Sequence, residues 1–204
     1  GTLTPTFMYR DILGFKEAIE SEYKSPFPKQ NRLNLIIPET TTKFNRRNKE
    51  EFEKIADICA NLVNDIPGNT ALFFPSYELR DKIHYFFNDK CKKTIFLEKT
   101  RLNKKEKEEL LERFKSYKDK GAVLMGVASG SFGEGIDLPG ILKGVIIVGL
   151  PLQMPDLEIR ELIDYYDEKF GKGVNYGYIF PAIAKCLQNA GRCIRSENDK
   201  GVII

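Results

Sequence analysis

The chain has no tryptophan and one histidine, His84, and its four cysteines (Cys59, Cys91, Cys186 and Cys193) form no C-x-x-C pair. A structural zinc or iron–sulfur site is therefore not expected within these residues. Cys186 and Cys193 fall on one expected helix and would face the same way. All four read as buried thiols of a reducing cytosol, which makes the expected location cytoplasmic. No run of about 18 apolar residues occurs, so there is no candidate membrane helix. The opening Gly1-Thr2-Leu3-Thr4-Pro5 lacks the basic and apolar regions of a secretory signal. A large charge of one sign is missing too: 32 Lys and Arg stand against 29 Asp and Glu, for a net charge of +3. That argues against coating nucleic acid by bulk charge and leaves room for a local basic groove. There is no G-x-x-x-x-G-K-[S/T], hence no P-loop. No acidic pair follows a strand to hold magnesium; Asp167-Glu168 lies on an expected helix.

What is present is an alternation of apolar runs and amphipathic stretches. With 204 residues, 42% hydrophobic, one well-buried α/β domain is the expectation, with no internal boundary over residues 1–204. Strands are expected at Leu33–Ile37, Thr70–Phe74, Thr94–Leu97, Ala122–Ala128, Lys143–Val148 and Val202–Ile204. Helices are expected at Met8–Ile19, 47–66, from Ser76 through Phe87, 104–119, Asp156–Phe170 and Val174–Arg195, the last kinked or started by Pro181. Such alternation implies βαβ units, a mostly parallel sheet with helices on both faces, and a ligand edge at the strands' carboxyl ends.

Three stretches carry candidate chemistry. Gln188-Asn189-Ala190-Gly191-Arg192-Cys193-Ile194-Arg195 has the form Q-x-x-G-R-x-x-R. On a helix, Arg192 and Arg195 would share a face one turn apart, a planar fork of donors suited to polyphosphate oxygens. Gly191 there would let a ligand or backbone come close. The alternative is a solvated basic helix end. Ser129-Gly130-Ser131-Phe132-Gly133-Glu134-Gly135-Ile136-Asp137-Leu138-Pro139-Gly140 follows a strand directly, so Ser129, Ser131, Gly135 and Asp137 lie on the ligand edge. Phe74-Pro75-Ser76-Tyr77 does the same, offering a hydroxyl for a phosphate contact or merely a helix cap. Lys43, Arg46, Arg47 and Lys49 form a further basic cluster, which reads as a solvated helix start or as a phosphate contact. Phosphate-sensing arginines without a phosphate cradle look like half of a site.

Gly1-Thr2-Leu3-Thr4-Pro5, Phe73-Phe74-Pro75-Ser76-Tyr77, Gly133-Glu134-Gly135-Ile136-Asp137-Leu138 and Gln188-x-x-Gly191-Arg192-x-Ile194-Arg195 occur in that order. Together they resemble the second RecA-like motor domain of the XPD family of superfamily 2 DNA helicases, archaeal in type. Ser131-Phe132-x-Glu134-Gly135-x-Asp137-x-Pro139-Gly140 leans toward the neighbouring DinG branch. The resemblance implies a three-layer RecA-like sandwich and a fragment of a larger helicase acting in repair or transcription. It implies that Gln188, Gly191, Arg192 and Arg195 reach toward ATP and magnesium held mainly by a first motor domain of the same protein. Arg195 would be the arginine finger, with Arg192 beside it. Gly135 and Asp137 would belong to the loop coupling nucleotide to DNA, steadied by Glu134. Ser76, Tyr77, Ser129 and Ser131 would lie near single-stranded DNA, traversed 5′ to 3′. The family's iron–sulfur cluster is expected only in the full-length protein, outside this chain. Two other readings compete: a catalytically silent RecA-like module that binds DNA or protein, and an unrelated α/β nucleotide-binding domain.

Overall fold

The structure is a computed structural model and describes residues 4–133, 136, 138–152 and 154–204. Among the described residues six strands form one sheet: β1 (Arg32–Asn34), β2 (Asn69–Phe74), β3 (Thr94–Leu97), β4 (Ala122–Val127), β5 (Leu142–Ile147) and β6 (Gly201–Ile203). Their order is β1-β6-β5-β2-β4-β3, and every pairing is parallel. The central strands β2 and β4 are buried along their whole length, as their unbroken apolar runs require of strands covered on both faces.

Helices α2 (Lys49–Asp65) and α3 (Tyr77–Phe87) cover one face. Ile55, Cys59, Val63, Leu79, Ile83 and Phe87 pack there on Leu72, Phe74, Val123 and Met125. The other face is closed by Phe114 of α4 (Lys104–Lys115) and by Phe132, Ile136, Leu138, Cys193 and Ile194, packed on Ala71, Phe73, Leu124 and Val145. Loop residues, and not only a helix, therefore form part of this layer. Asn48, Ser76, Asn103 and Asp156 cap α2, α3, α4 and α5 (Leu157–Phe170) by accepting from backbone N–H groups in the first turn.

Several expectations need correction. The first helix, α1, runs only from Thr6 to Leu13 and ends at Gly14 in the left-handed conformation. The first strand pairs over three residues only and is exposed, because β1 is an edge strand with β6 as its single partner. The last helix passes unbroken through a π-helical turn (Asn175–Ile179) into α6 (Phe180–Ala190) and stops short of Arg195. Pro181 follows on this π-helical turn, near the join with α6. The helix stops at Ala190 because Cys193 and Ile194 must enter the core; Cys193 Sγ donates to Val202 O at 3.7 Å. Arg192 and Arg195 therefore do not share a helical face, and Cys186 and Cys193 do not share a helix. The cysteines are all free; Cys59 and Cys193 are buried, Cys91 and Cys186 half-buried. Burial pushes the Cys59 thiol up to about 12 and that of Cys186 up to about 11.

Candidate functional site

The segment after β4 leaves the carboxyl edge of the sheet and is fastened on both sides by buried polar residues. On the β3 side the fastener is Glu98, fully buried immediately after the strand. Its carboxylate accepts from Val127 N at 2.7 Å, Ser131 Oγ at 2.9 Å and Phe132 N at 3.1 Å. Its backbone carbonyl accepts from Nη1 of Arg80, itself buried. Arg80 also donates to Asp81 Oδ1 at 2.9 and 2.6 Å, and its guanidinium lies 5.0 Å from the Tyr77 ring centroid. Burial, followed by the charge of Glu98, raises the Tyr77 phenol above its ordinary pKa. Glu98 thus ties the Ser76–Tyr77 helix start to the Ser131 turn.

On the opposite side the fasteners are Asn189 and Arg192. The Asn189 amide is buried; it donates to Ala128 O at 3.1 Å and Lys185 O at 2.9 Å. Its Oδ1 accepts from Arg192 Nε at 3.4 Å. Arg192, only 3% exposed, donates through Nη1 to Ile136 O and through Nη2 to Gly133 O. The chain folds so tightly that a Cβ on Gly133 would lie 2.2 Å from Ala128 O. Only glycine fits that approach.

Arg192 and Arg195 are thus divided between two environments. Arg192 is an internal strut that holds Gly133 and Ile136. Arg195 is exposed, and its backbone N–H donates to Asp199 Oδ2 at 2.8 Å, a bond that Ser196 N repeats at 2.8 Å. Gln188 and Gly191 are also exposed at the carboxyl end of α6. Ser76 accepts from Leu79 N at 3.3 Å as the α3 cap, and Tyr77 and Ser131 meet at Glu98. Ser129 is half-buried on the same edge. Glu134, Gly135 and Asp137 lie outside the described residues, as does the opening Gly1-Thr2-Leu3. Sequence reasoning missed Glu98 and Asn189. The signal for Glu98 was available, since it too directly follows an apolar strand at the ligand edge.

Removing the Glu98 carboxylate leaves buried N–H donors unmatched, each at about 1–3 kcal/mol. Glu98→Ala is expected to destabilise this chain by roughly 3–5 kcal/mol in urea unfolding. A change within about 0.5 kcal/mol would remove Glu98 from this role.

Residues 59–204 match the family model described as the helicase C-terminal domain. The chain belongs to the helicase C-terminal domain family. A Methanocaldococcus jannaschii protein named "Probable ATP-dependent helicase" is 31% identical over 198 residues, which is 89% of this chain and 29% of that one. The Saccharomyces cerevisiae general transcription and DNA repair factor IIH helicase subunit XPD/RAD3 is 25% identical, over 100% of this chain and 28% of its own length. A solved structure titled XPD_APO superposes with a TM-score of 0.72 at 20% identity, covering 98% of this chain and 41% of that one. The helicase C-terminal domain here is therefore RecA-like in fold, and its relatives are helicases of the XPD and DinG type. It spans less than a third of the length of the two relatives just described. Among the described residues, no helix is long and apolar enough to cross a membrane.

Proposed function

We propose that this helicase C-terminal domain is the second motor half of an ATP-dependent DNA helicase. It would complete the site of ATP held with magnesium on a first motor domain of the same protein. The observation that carries this reading is the double fastening of the segment after β4, at Ser131 and Phe132 on one side and at Ala128, Gly133 and Ile136 on the other. One fastening, through Glu98, leads to Ser76 and Tyr77, the expected single-strand side. The other, through Asn189 and Arg192, leads to the segment ending at exposed Arg195, the expected nucleotide side. A loop fixed to both sides carries a shift at one to the other, which is what coupling hydrolysis to DNA movement requires. Relatives named as XPD and DinG DNA helicases support it.

Exposed guanidinium and carboxamide groups at Arg195 and Gln188 suit polyphosphate oxygens. Magnesium-bound ATP supplies the phosphoryl group to be transferred. Arg195 contributes charge to the γ-phosphoryl oxygens as an arginine finger, while Arg192 holds the loop and does not touch nucleotide. Single-stranded DNA, traversed 5′ to 3′, is the track.

ATP hydrolysis with and without single-stranded DNA tests this. The chain alone is expected to be inert, and the chain joined to a first motor domain is expected to show DNA-stimulated hydrolysis. Hydrolysis by the isolated chain at a rate typical of helicases contradicts the half-site. Inertness of both forms favours the silent binding module.

A further inference from the structure

Just before α2 the chain makes a tight helical turn, Phe44–Arg46, between Lys43 and Arg47. Phe44 is 85% exposed, so it serves no core. Lys43, Arg46 and Lys49 are exposed around it. We infer that this turn is a second single-strand contact, with Phe44 as a base-stacking platform and Lys43 and Arg46 as phosphate ligands. The inference rests on the DNA-motor reading and adds a site to it.

The turn is rigidly mounted. Arg47 Nε donates to Thr42 O at 3.0 Å, and the Arg47 guanidinium lies 5.6 Å from the Phe44 ring centroid. Thr41 N donates to Glu51 Oε1 at 2.6 Å, and Thr41 Oγ1 accepts from Lys43 N at 3.3 Å. Thr42 packs where Gly149, beyond β5, has no side chain. A Cβ there would lie 2.1 Å from Thr42 Oγ1, and the Gly149 φ of 76° already disfavours one. The ring is therefore held out in water by a preorganised backbone, which lowers the ordering cost of stacking.

Its position is also informative. The Glu78 carboxyl is held below its ordinary pKa first by Lys82 and, more weakly, by the charge of Arg47. Glu78 is in the first turn of α3, beside Ser76 and Tyr77. Thr42 packs on Gly149, just beyond the carboxyl end of β5, so the Phe44 turn lies along the sheet edge already read as the DNA side. The acidic groups nearby are engaged: Glu51 holds Thr41 N, and Glu78 pairs with Lys82 at 2.5 Å. Glu39, four residues before Lys43, and Glu50, in the first turn of α2, are further carboxylates in that segment. An aromatic face bracketed by cations is the combination that binds a single strand without reading its sequence.

The test is the anisotropy of labelled oligo-dT with this chain across a salt series. Phe44→Ala is expected to weaken binding about 5- to 150-fold, and Phe44→Trp to restore it. Lys43→Gln with Arg46→Gln is expected to reduce the slope of log affinity against log salt by roughly 1.4, about 0.7 per phosphate lost. Unchanged affinity in Phe44→Ala overturns the proposal, as does absence of oligo-dT binding by the parent chain. So does a Phe44→Ala effect confined to association with a separately supplied first motor domain, which would make the turn a protein contact. If the joined protein still shows DNA-stimulated hydrolysis while these variants bind normally, only the second contact fails. If it neither hydrolyses ATP nor binds DNA, the motor reading fails with it.

Discussion

Arg195→Ala in the protein carrying both motor domains is expected to lower ATP hydrolysis by roughly 10³-fold or more. DNA affinity and the unfolding midpoint should stay close to those of the parent. The expectation follows from position. Arg195 is exposed where the chain leaves the core after Ile194, and its local backbone is set by Asp199 accepting from the 195 and 196 N–H groups. Those bonds do not use the guanidinium, so truncating it leaves them in place. In the proposed site the guanidinium stabilises charge that develops only during phosphoryl transfer, so its loss should fall on kcat more than on ATP affinity. Steady-state hydrolysis over a range of ATP concentrations separates the two. Hydrolysis near the parental rate would refute Arg195 as the finger. A loss confined to KM would make it a ground-state ligand.

The buried strands were legible because period and burial coincide. Ala71–Phe74 and Ala122–Ala128 are apolar throughout, and β2 and β4 are paired interior strands of the sheet. The α3 start was legible through turn chemistry, with Ser76 before it. What could not be read from local pattern was which partners the polar residues of the site would find. Asn189 meets Ala128 across 61 residues, Arg192 meets Gly133 across 59, and Glu98 meets Ser131 across 33. No spacing rule within one segment encodes such partners. The Arg192–Arg195 pair shows why: three-residue spacing does place two side chains on one helical face. The need to bury Cys193 and Ile194 ended the helix first, turning one arginine inward and leaving the other outside. Tertiary burial prevailed over local periodicity, and it gave two similar residues different tasks.

That division makes Arg192 the residue whose loss should be felt in the fold. Arg192→Met keeps much of the side-chain volume and removes the donors to Gly133 O and Ile136 O. Buried carbonyls left without partners cost about 1–3 kcal/mol each, and the Asn189 Oδ1 contact is lost with them. A destabilisation of roughly 3–5 kcal/mol is expected for this chain in urea, against less than about 0.5 kcal/mol for Arg195→Ala. Native domains have only about 5–15 kcal/mol in hand, so the Arg192 variant would sit near the limit of folding at ordinary temperature. Hydrogen exchange gives the local signature: the amides near Gly133 and Ile136 should lose protection before those of β2 and β4. In the joined protein, Arg192→Met should also lower hydrolysis, because the loop that it braces would no longer hold its two sides in register. Arg192→Lys distinguishes bracing from charge. A lysine restores one donor but not the planar fork, so it should recover only part of the stability. Equal and small stability losses for the Arg192 and Arg195 variants would contradict the division and return both arginines to the nucleotide cleft.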